Sequence, residues 1–325
     1  MGPTQVGELN PRASGGILNW ESANDCNPTL IWHQPQVALL AELQYRAAAS
    51  DADRNATLQR LGPLVFASAA FLSSFAERRV GPSGSHGEYF DLAPPLSDAA
   101  EDTIGTASNP TFELTQVRFA LDVANIWRRR MSLPIVEEWR TVLHALAPQP
   151  IVTIELDGRN RSVYNRHQAC LPSVFANKTT GCSPHNSHMT LLGAYGVLPG
   201  EHYGIDAGIM NTTLHAVWEL WTWPSTWSWS WAMFSMTASR LGNVDKALSG
   251  LLMDVNVSQS PGGSAARNLL CYLPSGQNHP NTTGELAVYL PGNGGVLLAV
   301  GAMAGRPDGF PSEWRVRTEG FRPYF

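Results

Sequence analysis

Apolar residues recur every three to four positions along most of this chain, and strand-like alternation is confined to one short stretch. Gln34 to Ser50 places Val37, Leu39, Leu40, Leu43 and Tyr45 on a broad apolar face, with Pro35 near the first turn, and predicts a helix. Asp53 to Arg79 predicts a second, long helix, with a break expected at Gly62-Pro63 because proline removes a backbone donor. Pro110 to Met131 is apolar nearly all round, from Phe112 and Leu114 to Ile126 and Trp127, so it is expected to be buried on both sides. Val136 to Ala147 predicts a fourth, amphipathic helix. Ile151 to Leu156 and Ser162 to Tyr164, turning at Asp157-Gly158, predict a hairpin. Helices are expected again at 188–196, 206–221, 230–241 and 244–253, and from Gly292 to Ala304. Residues 80–110 and 256–283 read as long loops. The organisation expected is an irregular segment 1–30, one helical domain 31–305 and an irregular tail 306–325. The class is all-α, with paired helices and chemistry in the loops.

Composition narrows the function classes. Of 325 residues, 43 % are hydrophobic and 15 % charged, which excludes a disordered chain. A net charge of −5 gives no general attraction to nucleic acid or to an anionic membrane, so neither is an expected partner. No apolar run approaches the roughly 20 residues that span a bilayer. Glycosylation sequons stand at Asn55, Asn160, Asn177, Asn211, Asn256 and Asn281, where chance would give roughly two. With four cysteines, they point to a secreted protein. Met1 to Pro11 carries no signal peptide, which a truncated chain would reconcile. The alternative is an intracellular protein with idle sequons.

Three groups of residues suggest chemistry. Six of the 11 tryptophans lie between Trp218 and Trp231. The spacing of Trp221, Trp223, Trp227, Trp229 and Trp231 puts several rings on one side of an extended segment, as a sugar-stacking wall requires. Core packing is the alternative for each ring. Glu101 and Asp102 precede the buried third helix, and Glu113 lies in its first turn. Glycosidic bonds are cleaved between two carboxyl groups, so Glu101, Glu113 and Glu219 are candidates; a carboxylate capping a helix is the alternative for Glu113. Finally, His167, Cys170, Cys182, His185 and His188 are spaced like zinc ligands. The flanking sequons favour a Cys170–Cys182 disulfide, with zinc and free thiols as alternatives. A Cys26–Cys271 bridge follows only by elimination. Neither a nucleophile elbow nor a phosphate-binding loop is present.

Several segments, in order, resemble the six-hairpin (α/α)6 glycosidases, nearest the glycoside hydrolase family 95 type of α-L-fucosidase and its uncharacterised fungal and bacterial relatives. They are Trp32-His33-Gln34-Pro35, the helix Arg60 to Ala76, "LSDAAED" at 96–102 and "NPTFEL" at 109–114. Further on come Ser187-His188 with Leu198-Pro199-Gly200, the helix Trp227 to Ala247, and "LPGNGG" at 290–295. The resemblance implies an (α/α)6 toroid, here lacking leading hairpins at its N-terminus. It implies hydrolysis of a terminal glycoside by inversion, with Glu101 as general acid and no cofactor or metal. It also implies a sugar site drawn from Trp32, His33, Gln34, His188, Trp221, Trp223, Trp227, Trp229 and Asn293. Two positions depart from the family. Pro291 stands where the family has its catalytic base, and Ser230 stands where closer relatives have an Asp. These departures carry the first rival reading, a non-catalytic carbohydrate binder. A glycoside phosphorylase is the second, disfavoured because no Arg or Lys lies between Trp218 and Trp231.

Overall fold

The computed structural model describes residues 29–81, 88–185, 188–223, 226–227, 229–252 and 290–320. Cys26, Cys271, Asn256, Asn281, the loop 256–283 and all but the last two residues of the expected 1–30 segment lie outside the described residues. Nine helices and two short antiparallel hairpins make up the regular structure of the described residues, a mostly helical chain compatible with the all-α class. Contacts divide it into two compact units: residues 29–150 with His167–Ala169, and residues 151–166 with 170–320.

The first unit contains α1 (His33–Ala47), α2 (Asp51–Phe75), a hairpin of β1 (Glu77–Val80) and β2 (Glu88–Asp91), α3 (Thr111–Arg130) and α4 (Glu137–Ala145). Helix α3 packs against α1, α2 and α4. That explains its all-round apolar pattern: Phe112, Leu114, Val117, Phe119, Leu121, Val123 and Trp127 are all buried. Ser50 starts α2 by accepting the Asp53 N–H at 3.1 Å. The helix then runs straight through Gly62-Pro63, where a break was expected. Pro63 and Gln59 are both exposed, so water can serve the Gln59 carbonyl that loses its partner. On the buried side, a Cβ on Gly62 would stand 3.2 Å from Met131 Sδ. The helix ends at Phe75, and residues 77–79, expected as helix, belong to a strand with Val80 instead. Glu77, Arg78 and Arg79 offer no apolar stripe. They pair across the hairpin, Arg78 with Glu88 and Arg79 with Asp91 at 3.4 Å.

One charged group lies inside this unit. Glu42 on α1 is 2 % exposed and meets Arg46 at 2.7 Å, Arg130 at 2.6 Å and the Trp127 indole N–H at 2.7 Å. The Arg130 guanidinium also lies 4.1 Å from the Tyr45 ring centre.

The second unit contains β3 (Ile151–Leu156), β4 (Arg159–Tyr164), a single turn α5 (Gly193–Gly196), then α6 (Ala207–Leu220), α7 (Trp229–Arg240), α8 (Val244–Leu251) and α9 (Leu290–Ala304). The β3–β4 hairpin turns at Asp157 (φ 52°) and Gly158 (φ 70°), the two positive values a primed turn needs. Helix α7 is the core of this unit. Every residue from Ser230 to Ser239 is buried, and α5, α6, α8 and α9 pack on it. Gly250 lets α8 approach, since a Cβ there would stand 2.5 Å from Ser235 Oγ. Of the helix expected at 188–196, only a 3₁₀ turn (Thr190–Leu192) and α5 form.

Between β4 and α5, the Asn165 side chain accepts the Arg166 and Val174 N–H groups and donates to the Cys170 carbonyl at 2.6 Å. It holds a loop closed by the expected Cys170–Cys182 disulfide, whose Cα atoms are 5.1 Å apart. Neither sulfur is then a thiolate available to zinc. Among the described residues, no three His, Cys, Asp or Glu side chains gather as a metal site would need. Replacing both cysteines by serine is expected to lower stability by about 3 kcal/mol, the loop-closure value for a loop near this length. Paired denaturant titrations of the two proteins would read it. Among the described residues, no helix is long and apolar enough to cross a membrane.

Candidate functional site

In the first unit, residues 92–109 carry the chain from β2 to α3. Leu30 bridges Ser97 in parallel fashion, and the Ser97 N–H donates to the Thr29 carbonyl at 3.0 Å. The two hydroxyls of Thr29 and Ser97 stand 2.6 Å apart. Since α1 begins directly after this contact, the predicted segments 32–34 and 96–102 are brought together. Trp32 lies beside the exposed His33, with ring centres 4.7 Å apart and planes tilted by 31°. Desolvation holds the His33 pKa below its usual value, against the raising effect of the Leu30 carbonyl. Gln34 contributes its backbone, accepting the Ser68 hydroxyl at 2.6 Å.

The carboxylates of this loop divide by environment. Glu113 is buried and accepts the Ala99 N–H at 2.6 Å, tying the first turn of α3 to the loop. Asp98 is buried and accepts the Thr103 hydroxyl at 2.8 Å. Glu101 alone of these three is exposed. Its backbone is left-handed, at φ 65°, and its N–H donates to the Asp98 carbonyl at 2.9 Å. A non-glycine residue in that region is strained and is more common at functional sites. Partial desolvation, and then the negative charge of Asp98, raise the Glu101 carboxyl above the usual range.

Asp98 and Asn109 were not singled out from the sequence. Asn109 (φ 48°) accepts the Leu92 N–H and donates to Asp91 and to Gln168, each at 2.8 Å. Its one visible signal was the Asn-Pro pair ahead of a helix.

In the second unit, His188 is the centre of the aromatic cluster. Its ring stacks on Trp229 with centres 4.2 Å apart and planes at 27°, and Trp227 lies 6.3 Å away. Its Nδ1 shares a hydrogen bond of 3.0 Å with the hydroxyl of Ser230. Burial, and then the positive charge of the buried Arg166, push the His188 pKa down to about 3. The imidazole is therefore neutral at ordinary pH. Both Trp227 and Trp229 are partly exposed. A Cβ on Gly295 would stand 3.0 Å from Ala232 Cβ and 3.6 Å from Trp229 Cα, so the first turns of α9, with Asn293, lie against the start of α7.

Trp221, Trp223 and Trp231 are core residues. Trp223 is fully buried, packs on Trp218 and Phe234, and donates its indole N–H to the Trp218 carbonyl at 3.1 Å. Trp221 is buried against Phe175. The chain becomes helical at Trp229, so the alternating spacing does not put all the rings on one side. Glu219, on the last turn of α6, stands 4.0 Å from His215 Nδ1, while His215 Nε2 meets Asp157 at 2.9 Å. Its charge also acts on Lys246, whose ammonium lies 4.7 Å from the Trp218 ring centre. Sequence reasoning missed Arg166, for which the pattern offered no signal.

No family model matches the chain, and no curated protein matches it significantly.

Proposed function

We propose that this chain acts on carbohydrate, hydrolysing a terminal glycosidic bond with Glu101 as the proton donor. The observation that carries the reading is Glu101 itself. It is an exposed carboxyl on a strained backbone, raised by its surroundings, in a loop where Asp98 is buried and Asp102 half-buried. A general acid must hold its proton near working pH and release it to the leaving oxygen. Trp227 and Trp229 beside a neutral His188 suit the apolar face and the hydroxyls of a sugar ring. The six-hairpin (α/α)6 toroid and an inverting outcome belong to the same reading through the resemblance. The packed consecutive pairs α1–α2, α3–α4 and α7–α8 would be its hairpins.

A second reading, a carbohydrate binder without turnover, is favoured by one observation. Pro291, which can accept no proton, lies in the first turn of α9, at the position that the resemblance would give to the base. Glu113 is engaged by the loop backbone, and Glu219 belongs to the His215–Lys246 group. Extracellular location is part of the proposal. It is supported by the disulfide and by Asn55, Asn160, Asn177 and Asn211, all exposed.

Calorimetry against a panel of monosaccharides and oligosaccharides tests carbohydrate recognition under both readings. Trp229→Ala is expected to weaken the best ligand about tenfold, near 1.4 kcal/mol, by removing a stacking face. Unchanged affinity in this variant, or no sugar bound by the wild type, would remove the aromatic cluster from the proposal. Turnover then separates hydrolase from binder.

A further inference from the structure

His188 is held on two sides inside the second unit. Its face lies on Trp229, with ring centres 4.2 Å apart and planes at 27°. Its edge meets the Ser230 hydroxyl, 3.0 Å from Nδ1. Ser230 is fully buried in the first turn of α7 and donates its N–H to the Trp227 carbonyl at 3.0 Å. His188 is only 7 % exposed, yet its Nε2 has no hydrogen-bond partner among the described residues. We propose that Ser230 is the positioning residue of His188: it donates to Nδ1, keeps the ring proton on Nε2, and presents that N–H to an oxygen of a bound sugar. The inference rests on the reading of Trp227, Trp229 and His188 as a carbohydrate site, and it adds the polar contact that selects among sugars.

The hydroxyl proton fixes the tautomer. Ser230 makes one side-chain hydrogen bond among the described residues, the one to His188. A buried hydroxyl with no acceptor for its proton carries a desolvation penalty, so that proton goes to Nδ1. A neutral imidazole has one N–H, and a Nδ1 that accepts leaves it on Nε2. Burial, and then the positive charge of Arg166, keep the ring neutral. The stack fixes direction. A ring nearly parallel to the indole carries its N–H in its own plane, alongside the indole and not into its face. Trp227 and Trp229 are half-buried, so a sugar can lay its C–H face on an indole and bring an oxygen to Nε2. Without the Ser230 hydroxyl the stack remains, but either nitrogen can take the proton.

Nitrogen-15 shifts of the His188 ring in the full chain read the tautomer directly. The wild type should show a protonated Nε2 and an unprotonated, hydrogen-bonded Nδ1. In Ser230→Ala, both shifts should move toward a mixture of the two tautomers, with an unchanged circular dichroism spectrum, since alanine is the better helix former. A proton on Nδ1 in the wild type, or unmoved ring shifts in the variant, would overturn the proposal. If Ser230→Ala does not fold, the wild-type shifts decide. Calorimetry is the second readout, with the best sugar of the panel and its monodeoxy analogues. In the wild type, removing one particular hydroxyl should weaken binding about five-fold, the effect of one lost neutral hydrogen bond, and Ser230→Ala should lose that discrimination. A serine that only packs would lower affinity for the whole series alike, and that result overturns the proposal. Sugar binding with the proton on Nδ1 defeats the positioning role and leaves the carbohydrate reading standing. No sugar bound by the wild type defeats the carbohydrate reading, and the donor role with it.

Discussion

Glu101→Gln is expected to lower hydrolysis of a glycoside with a poor leaving group by roughly 10²–10⁴-fold, the usual contribution of a positioned general acid. The amide matches the carboxyl in shape but has no proton to give, so fold and substrate binding should persist. An aryl glycoside with a good leaving group needs little protonation and should lose far less. Parallel initial rates on the two substrates check this; equal losses on both would make Glu101 structural. The pH dependence follows from the raised carboxyl. Desolvation and Asp98 keep Glu101 protonated above its ordinary 4.5, so the wild-type rate on the poor leaving group should fall only as pH rises through that raised value. The Gln variant should lack this limb. Sugar binding with no turnover in the wild type would instead select the binder reading.

Glu42→Ala is expected to cost about 3–5 kcal/mol of stability, the usual result of removing one partner from a buried ion pair. For a domain of this size that is a fall in Tm on the order of 10 °C. Two effects add. Arg130 and Arg46 lose their shared counter-charge, and the buried Trp127 indole loses its acceptor. A contrasting variant is Asp51→Asn, which breaks the exposed Arg54–Asp51 pair and should change stability by less than about 1 kcal/mol. Comparable losses in both variants would contradict the account. Burial alone would raise the Glu42 carboxyl, but hydrogen bonds from Arg130, Arg46 and Trp127 outweigh it and hold the pKa below 4.5. A depressed folded-state pKa means the contribution is complete above 4.5 and is lost as pH falls through the lower, folded value. Wild-type stability should therefore drop in that acid range, and Glu42→Ala should show a smaller drop.

The periodicity of the chain determined where most helices lie, because a buried stripe imposes its 3.6-residue repeat on any sequence that packs it. Thr111–Arg130 is the clearest case: apolar all round, it is covered on several sides. The hairpin at Asp157-Gly158 was equally legible, since few residues tolerate two positive φ values in succession. The strand Glu77–Val80 was not, because an exposed polar strand has no pattern of its own and exists only through its partner Glu88–Asp91. The disulfide could be read from spacing and sequons, as its loop is local.

The candidate residues were legible in their types and not in their roles. Glu101 and Glu113 differ little as letters, yet one is exposed and strained while the other is buried and bonded to the Ala99 N–H. Of the tryptophans in one alternating run, Trp221 and Trp223 went to the core, and Trp227 and Trp229 to the side of His188. Asp98, Arg166 and Ser230 took their roles from neighbours 3 to 42 positions away. Periodicity reports which side of an element is buried. Burial depth, backbone strain and the charge beside a carboxyl depend on segments far apart in the chain, and only the tertiary structure brings those together.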